Sequence, residues 1–363
     1  MITIDEVVAL IETKYPLSWQ ESYDNCGLQT GNLQATLTGI VISLDCTEQV
    51  IDEALANGAN LIISHHPIIF SGLKKITGKS DAEKVIIKAI KHDISLYALH
   101  TNFDNAPEGV SYQLANILGL NRIKPLQVSQ GQLNKLSTYV PVDHADSLRN
   151  ALFDAGAGGI GNYDSCSFNV AGIGTFRPNQ KANPFLGSAG ELHQENEIKL
   201  EVLVPNHLLG SVTKALFNQH PYEEVAYEII QLKNEWKELG SGAWGEFDEP
   251  KSADQFLNLV KETFGGNIKF TSKVKQVKRV GICGGTGIFL LKNAFAAQCD
   301  AFITSDVKYH QFFDSSKNLM IVDIGHYEAE ILALSTIRDF LLQNFSTFAI
   351  QLAESHTNPV NYL

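Results

Sequence analysis

Short apolar runs alternate with amphipathic segments over the first third of the chain. Residues 40–44 form a β-branched apolar run that predicts a strand, and residues 47–56 carry apolar positions at helical spacing. A second strand is predicted over residues 61–63, a helix from about Asp81 to His92, and a strand over residues 94–99. This alternation predicts a largely parallel sheet whose faces are covered by helices.

The same alternation returns after residue 240. It predicts a helix over residues 253–264, strands over residues 278–283, 301–304 and 320–324, and a long amphipathic helix from about Tyr327 to Phe345. The two outer segments resemble each other around their second strands. We therefore predict a pseudo-repeat, although convergence of two βα units would give the same likeness.

The middle of the chain has a different texture. It contains one predicted strand near residue 140, two strands between residues 165 and 175, a strand over residues 199–204 and a last strand over residues 225–232, with a helix after the first strand and another before the last. We interpret this order as the β-α-β-β-α-β order of a ferredoxin-like unit. The predicted fold class is α/β, with two facing α/β half-domains around a central cleft and an inserted ferredoxin-like α+β domain. The predicted domains are residues 1–126, 127–236 and 237–363.

Composition indicates a soluble globular protein. Hydrophobic residues make up 44% of the 363 residues and charged residues 19%, which is enough apolar material for a sizeable core. No apolar run approaches the roughly 20 residues that span a bilayer, and the first residues lack the layout of a signal peptide. The net charge of -12 argues against general binding to nucleic acid or to an anionic membrane.

The five cysteines are scattered and form no CxxC pair. This pattern is typical of a reducing compartment and not of a disulfide framework or a thiolate zinc site, so we predict a cytoplasmic protein.

Histidines and acids cluster where predicted strands end. His65 and His66 follow the strand over residues 61–63, and His100 and Asp104 follow the strand over residues 94–99. In parallel sheets, ligands collect outside the carboxyl ends of the strands, so these side chains are candidates for a metal site. A histidine pair alone is a weak signal, because one histidine can be a surface residue and the other a core residue.

A second pair strengthens the metal hypothesis. His326 and Glu330 are four residues apart at the start of a predicted helix, which places both side chains on one face. The alternative is a solvated first turn, where an acid favours the helix dipole. Together the candidates offer nitrogen and oxygen donors without thiolate, a set that suits Zn, Mn, Fe or Co. His65, His66 and Asp104 with this pair give three histidines and two acids. Five ligands exceed the need of one catalytic zinc, so two ions roughly 3.5–4 Å apart fit better.

Five motifs, at residues 24–28, 64–70, 100–104, 304–310 and 325–330, identify a resemblance. In this order the chain resembles the Nif-three-like family, also called the GTP cyclohydrolase type 2 homologues. Ser305 stands where the family usually has glycine, and Cys26 where valine is common. The resemblance implies two divalent ions per chain, zinc foremost with Mn, Fe or Co as alternatives, and Glu330 as the bridging acid. The implied metal ligands are His65, His66, Asp104, His326 and Glu330.

The middle segment resembles the CutA/PII-like domain inserted in the long members of that family. Gly187 and the run His220-Pro221-Tyr222-Glu223-Glu224 carry this likeness. The resemblance implies a homo-oligomer, namely a toroidal hexamer.

Two functions follow as hypotheses. In the first, the protein is a metal-dependent hydrolase in which metal-activated water attacks a nucleotide or a related substrate. With GTP the attack falls on C8 of guanine and releases formate, and the candidate catalytic residues are Glu330, His100 and His310. In the second, the protein regulates or binds partners, and the inserted PII-like domain senses a small molecule. A third option is that the ions only hold the two halves together.

One glycine-rich turn receives a structural interpretation. Residues 284–287 (Gly-Gly-Thr-Gly) follow a predicted strand and open a helix, where backbone amides can hold a phosphate. The turn lacks the full GxGxxG spacing and the Walker lysine, so we predict a tight turn without a bound phosphate.

Overall fold

The computed structural model of the protein describes residues 1–315 and 318–361. The chain divides into two compact units: the first combines Met1–Val128 with Lys237–Leu363, and the second is Ser129–Trp236. Residues 362 and 363, at the end of the predicted third domain, lie outside the described part of the chain, as do residues 316 and 317. The fold is mixed α/β with several sheets.

Helices and strands alternate along most of the chain. The strands are β1 (Gly27–Thr30), β2 (Ile40–Ser43), β3 (Leu61–Ser64), β4 (Ser95–Ala98), β5 (Asn121–Ser129), β6 (Leu133–Pro141), β7 (Ser167–Phe176), β8 (His193–Pro205), β9 (Tyr227–Gln231), β10 (Trp236–Ser252), β11 (Lys269–Phe270), β12 (Gln276–Ile282), β13 (Ala301–Thr304), β14 (Met320–Asp323) and β15 (Ile350–Leu352). The helices are α1 (Ile4–Lys14), α2 (Glu48–Ala56), α3 (Asp81–Lys91), α4 (Thr101–Asp104), α5 (Val110–Ile117), α6 (Ala145–Asp154), α7 (Leu209–Gln219), α8 (Ala253–Phe264), α9 (Leu291–Ala296), α10 (His326–Glu330) and α11 (Leu334–Asn344). None of the helices in the described ranges is long and apolar enough to cross a membrane.

The first sheet of the first unit has the strand order β1-β4-β3-β2-β15. Strands β15, β2, β3 and β4 run parallel, and β1 closes one edge antiparallel to β4. Every residue of β2, β3 and β4 is buried. Helices α2 and α3 supply part of this cover, since their apolar residues pack in one core cluster with Val41, Ile62 and Leu96 of the sheet. Thr47 and Ser80 fix where these helices begin, because each side chain accepts a hydrogen bond from its helix's first turn.

The second sheet of this unit has the order β11-β14-β13-β12-β10-β5. Its centre, β12-β13-β14, is parallel, whereas β10 and β11 join antiparallel. Strands β5 and β10 are absent from the sequence prediction. The 17 residues of β10 include many polar residues and three glycines, so the strand lacks the continuous apolar run that marks a central parallel strand.

The predicted long helix over residues 327–345 is wrong. Helix α10 ends at Glu330, a single 3₁₀ turn follows over Ile331–Ala333, and α11 then begins. Glu330 has φ -131° and ψ -32°, well outside helical values. Because the chain turns there, His326 and Glu330 lie at the two ends of their own short helix.

The second unit contains the elements β6-α6-β7-β8-α7-β9, and its antiparallel sheet has the order β7-β8-β6-β9. A single strand, β7, pairs with β8 over its whole length, where the sequence predicts two strands between residues 165 and 175. Helices α6 and α7 pack on one face of the sheet with Leu136, Leu200 and Val202. The opposite face carries no helix of this unit.

Candidate metal centre

The five ligands implied by the resemblance all lie in the first unit, near the carboxyl ends of its strands. His65 and His66 follow β3 directly, and Asp104 ends α4, the turn after β4. His326 and Glu330 begin and end α10, just after β14 of the second sheet. The parallel strands of both sheets therefore contribute side chains to the same site.

Backbone hydrogen bonds fix the histidine pair. The N–H of His65 donates to the carbonyl of Ser43 at 3.0 Å, and the N–H of His66 donates to that of Leu44 at 2.9 Å. The pairing of β2 with β3 thus continues past the end of the strand. Pro67 then prevents a helix from starting, because a residue before proline avoids the helical region.

One carboxylate joins the two sheets. Glu330 Oε2 lies 3.0 Å from His66 Nε2 and 3.1 Å from His326 Nε2. The same two imidazole nitrogens are 3.3 Å apart. Donors of this kind around one tetrahedral zinc lie about 3.4 Å from each other, given metal–nitrogen distances of about 2.1 Å.

The other oxygen of the same carboxylate faces a second group. Glu330 Oε1 lies 3.9 Å from His65 Nε2, and that nitrogen lies 3.7 Å from Asp104 Oδ1. Glu330 and His65 are only 3% and 1% exposed, so water does not separate these groups freely. Glu330 therefore presents one oxygen to each half of the cluster.

Three buried atoms of the cluster form no hydrogen bond of good geometry with a described residue: His65 Nε2, Asp104 Oδ1 and Glu330 Oε2. A buried polar atom left unpaired costs about 1–3 kcal/mol, so such atoms need a reason. A divalent cation would satisfy all three, and the donor set of imidazole and carboxylate suits a transition metal. The residues present thus fit a metal ion.

Three aspartates orient the imidazoles from behind. Asp45 Oδ1 lies 2.8 Å from Nδ1 of His66, and Asp306 Oδ2 lies 2.7 Å from Nδ1 of His326. In His65 the same atom meets the carbonyl of Leu99 at 2.8 Å. When Nδ1 donates to such an acceptor, the lone pair of Nε2 is free to bind a metal.

The third aspartate, Asp24, holds His100. Its Oδ1 lies 2.9 Å from His100 Nδ1, and its Oδ2 accepts from the backbone and hydroxyl of Thr101. The His100 ring stands 5.2 Å from that of His65 and 5.5 Å from that of His66, measured between centroids. The structure therefore brings His100 to the cluster, where it forms one group of possible metal ligands with His65 and His66.

The sequence analysis missed these three aspartates as site residues. Asp45 and Asp306 each stand two residues after a strand, β2 and β13, which is the position that marked the histidines. Asp24 lies in a loop before β1, and only the family motif at residues 24–28 drew attention to it. Strand-end position was a usable signal for two of the three.

Burial and neighbouring charges shift the pKa values of the cluster residues in different directions. Burial lowers the pKa of His65 to about 3, so its imidazole is neutral and able to bind metal. Burial also lowers the pKa of His66, but the hydrogen bonds to Asp45 and Glu330 outweigh it and raise that pKa to about 10. Glu330 has a pKa well below its usual value, since the hydrogen bonds from two histidines outweigh burial. Glu330 therefore stays ionised and favours a positive charge beside it.

His310 is a candidate proton shuttle in the sequence analysis, and that role stays a prediction. It is exposed, and its ring contacts those of Tyr309 and Phe313 at centroid distances of 5.3 and 6.5 Å. It belongs to neither histidine group that could hold a metal ion.

The glycine-rich turn at residues 284–287 makes room for the bridging acid. Gly285 has φ +60°, and a Cβ added to it would lie 2.3 Å from Glu330 Oε1. Thr286 donates its hydroxyl to Asp306 at 2.6 Å, and Asp306 itself has φ +56°. The turn is thus part of the wall of the cluster.

These features define an α/β protein with a buried histidine–carboxylate centre at the ends of two sheets. Over residues 2–359 the sequence matches the family described as Duf34/NIF3 (NGG1p interacting factor 3). The chain belongs to this family.

Relatives match along nearly the whole chain. A protein named GTP cyclohydrolase 1 type 2 homolog from Bacillus subtilis is 35% identical to this chain. The match spans 99% of this chain and 98% of the relative. One of the same name from Halalkalibacterium halodurans is 36% identical over 98% of both chains. The crystal structure of a Bacillus cereus protein related to NIF3 superposes with a TM-score of 0.86 at 36% identity, over 100% of this chain and 99% of that one.

Replacing Asp45 tests the orienting role of the aspartates. We expect Asp45→Asn to weaken zinc binding by about 10- to 100-fold, the usual effect of losing a carboxylate behind a metal-bound histidine. Competition with a chromophoric chelator measures this affinity. The matched control is Asp52→Asn on α2, whose carboxylate pairs with Lys88 Nζ at 2.7 Å on the surface. Equal affinity of both variants would contradict the role.

Replacing Gly285 tests whether the turn supports Glu330. Gly285→Ala places a methyl group against Glu330 Oε1, so we expect the bound metal to fall by at least half while the fold persists. Gly58→Ala is the control, because Gly58 has φ +66° and no described atom within 4 Å of an added Cβ. Both variants lose about 1 kcal/mol through the positive φ, so metal content by mass spectrometry isolates the contact with Glu330. Equal metal content in the two variants would remove the turn from the site.

Proposed function

We propose that the protein is a dinuclear metal-dependent hydrolase. The observation that carries the proposal is Glu330, which turns Oε2 toward His66 and His326 and Oε1 toward His65. A carboxylate in this arrangement can bridge two ions, with Asp104 completing the His65 side. Zinc is the first candidate metal, and Mn, Fe or Co suit the same donors.

Ions bound there would lower the pKa of water and supply hydroxide at neutral pH. The chain itself supplies orientation and proton transfer. With the Nδ1 proton of His100 donated to Asp24, its Nε2 would be free to take and return a proton. The substrate proposed is a nucleotide or a related ring, in line with relatives named GTP cyclohydrolase 1 type 2 homolog. With GTP, one water would add at C8 of guanine and open the imidazole ring to a formamide, and a second water would release formate and leave the free amine.

We also propose a domain arrangement. Residues 1–126 and 237–363 form two α/β halves that face each other across the metal cleft, and residues 127–236 are an inserted CutA/PII-like ferredoxin-like domain. The strand order β7-β8-β6-β9 supports the second part, since it is the order expected for a β-α-β-β-α-β sheet of this type.

A second candidate function is regulation, in which the metal centre senses or stabilises and the second unit responds to a small molecule. The observation that favours it is a cavity of about 720 Å³ within the second unit. Volumes of this size are typical of ligand sites.

Exchange of the bridging acid tests the hydrolase proposal. We expect purified wild-type protein to hold about two divalent ions per chain and Glu330→Gln to hold one or none, because Gln cannot bridge ions as a carboxylate does. Turnover on a panel of nucleotides should disappear with the second ion. Glu328→Gln is the control, since Glu328 lies on the same short helix outside the cluster. Two ions in both variants would contradict the bridging role, and a metal-loaded wild type inactive on the whole panel would favour regulation.

We further propose a cytoplasmic homohexamer shaped as a ring. Large apolar side chains stand exposed on the second unit, among them Phe168, Ile173 and Ile230 at 67%, 70% and 51%. Phe168 and Ile230 pair with Glu201 and Lys135, so both lie on the sheet face opposite α6 and α7, and their exposure there supports an interface. We expect sedimentation to give a mass six times that of the 39.9 kDa chain. Phe168→Lys should lower this mass, and a monomer in the wild type would exclude the ring.

A further inference from the structure

The second unit holds a cavity that the metal centre does not use. It lies on the face of the sheet opposite helices α6 and α7, and it measures about 720 Å³. Its lining comes from β7 and β8, from the loop over residues 177–186 and from residues 222–224. All of these belong to the second unit.

A buried carboxylate points into this cavity. Glu197 of β8 is 8% exposed, and its Oε1 accepts a hydrogen bond from the Tyr222 hydroxyl at 2.7 Å. Its Oε2 lies beside Gly174, on the cavity side of the sheet. A carboxylate in a cavity offers acceptor oxygens to a ligand that brings N–H donors, because a charge removed from water needs hydrogen-bond partners.

Glycines form the floor around this oxygen. Gly172 and Gly174 alternate with Ile173 on β7, so both face the cavity side of the sheet. A Cβ on Gly174 would lie 2.1 Å from Glu197 Oε2, whereas a Cβ on Gly172 would meet no atom within 4 Å. Gly174 therefore makes room for the Glu197 carboxylate, and Gly172 leaves open space next to it.

Aromatic rings form the walls. Tyr222 stands 5.9 Å from Phe176 and 6.5 Å from Phe185, measured between ring centroids. Tyr222 is itself held by its neighbour, because its N–H donates to His220 Nδ1 at 3.1 Å while His220 Nε2 meets the carbonyl of Tyr139 at 3.0 Å. The walls are therefore fixed before a ligand arrives.

The loop that covers the cavity is also anchored. Glu223 accepts a hydrogen bond from the N–H of Asn183 at 2.9 Å, and Gly190 N–H donates to the carbonyl of Pro178 at 2.7 Å. The run at residues 220–224, noted in the sequence for its family likeness, thus builds the site through three successive contacts: His220 to the sheet, Tyr222 to Glu197 and Glu223 to the loop.

We infer that this cavity binds a small planar heteroaromatic molecule through an edge of N–H donors. Glu197 Oε2 would accept from that edge, as a carboxylate does from the N1–H and 2-amino groups of guanine or a pterin. The rings of Phe176, Phe185 and Tyr222 would cover its apolar faces. Lys199 and Arg177 also line the cavity and suit an anionic substituent. This site rests on the second unit alone and does not depend on hydrolysis at the metal centre.

Calorimetric titration of the full chain with guanosine tests the inference. We expect one guanosine per chain, and binding at least tenfold weaker for inosine, which lacks the 2-amino donors. Glu197→Gln should weaken guanosine binding at least tenfold while keeping the acceptor for Tyr222. Gly172→Leu should abolish binding, because its side chain enters the cavity without a clash.

Gly159→Leu is the matched control, since Gly159 is in the same unit, outside the cavity lining, with open space around its Cβ position. It should bind guanosine like the wild type. If Gly172→Leu fails to fold by circular dichroism, Glu197→Gln decides. The inference is overturned by an absence of heat with both guanosine and pterin, by unchanged binding in Glu197→Gln, or by a change of sedimentation mass in Gly172→Leu that assigns the cavity to a second copy. Guanosine binding that is lost in His66→Ala but kept in Gly172→Leu would place the ligand at the metal centre instead.

Discussion

A single buried carboxylate, Glu330, sets the main constraint on the first unit. Its two oxygens lie between imidazoles that arrive from different sheets, 3.0 and 3.1 Å from His66 and His326 and 3.9 Å from His65. A buried negative charge is costly unless it is paired, so these groups must stay together in the folded chain. Three local features surround this carboxylate. The α10 helix ends at Glu330, the turn at Gly285 leaves room for Oε1, and Asp306, with its positive φ, contacts His326.

Three aspartates hold the imidazoles at a site that is built from loops and short helices. Asp45 and Asp306 hold His66 and His326, and Asp24 holds His100 while it also binds the next residue's backbone. Burial raises the pKa of Asp24, but the hydrogen bonds from His100 and Thr101 outweigh it and keep that pKa well below the usual value. The aspartate therefore stays an acceptor, and the imidazole keeps one orientation.

The second unit repeats the same physical principle with other groups. Glu197 is buried, one oxygen accepts from Tyr222, and the other lies beside Gly174 on the cavity side of the sheet. Each unit thus contains a buried carboxylate at the centre of its candidate site. The metal centre offers nitrogen and oxygen donors to a cation, whereas the cavity offers an acceptor between aromatic rings to a planar donor. Two different ligands are therefore compatible with one chain.

The sequence by itself determined the α/β class, the family and the strand ends at which His65, His66, Asp104 and His326 stand, because apolar periodicity and the residues that end a strand are local properties. Tertiary structure decided the rest. The pairing of Asp24, Asp45 and Asp306 with their histidines joins residues that are 20 to 76 positions apart. Three further features depend on long-range packing, which no local pattern encodes: the end of α10 at Glu330, strands β5 and β10, and the Glu197 cavity.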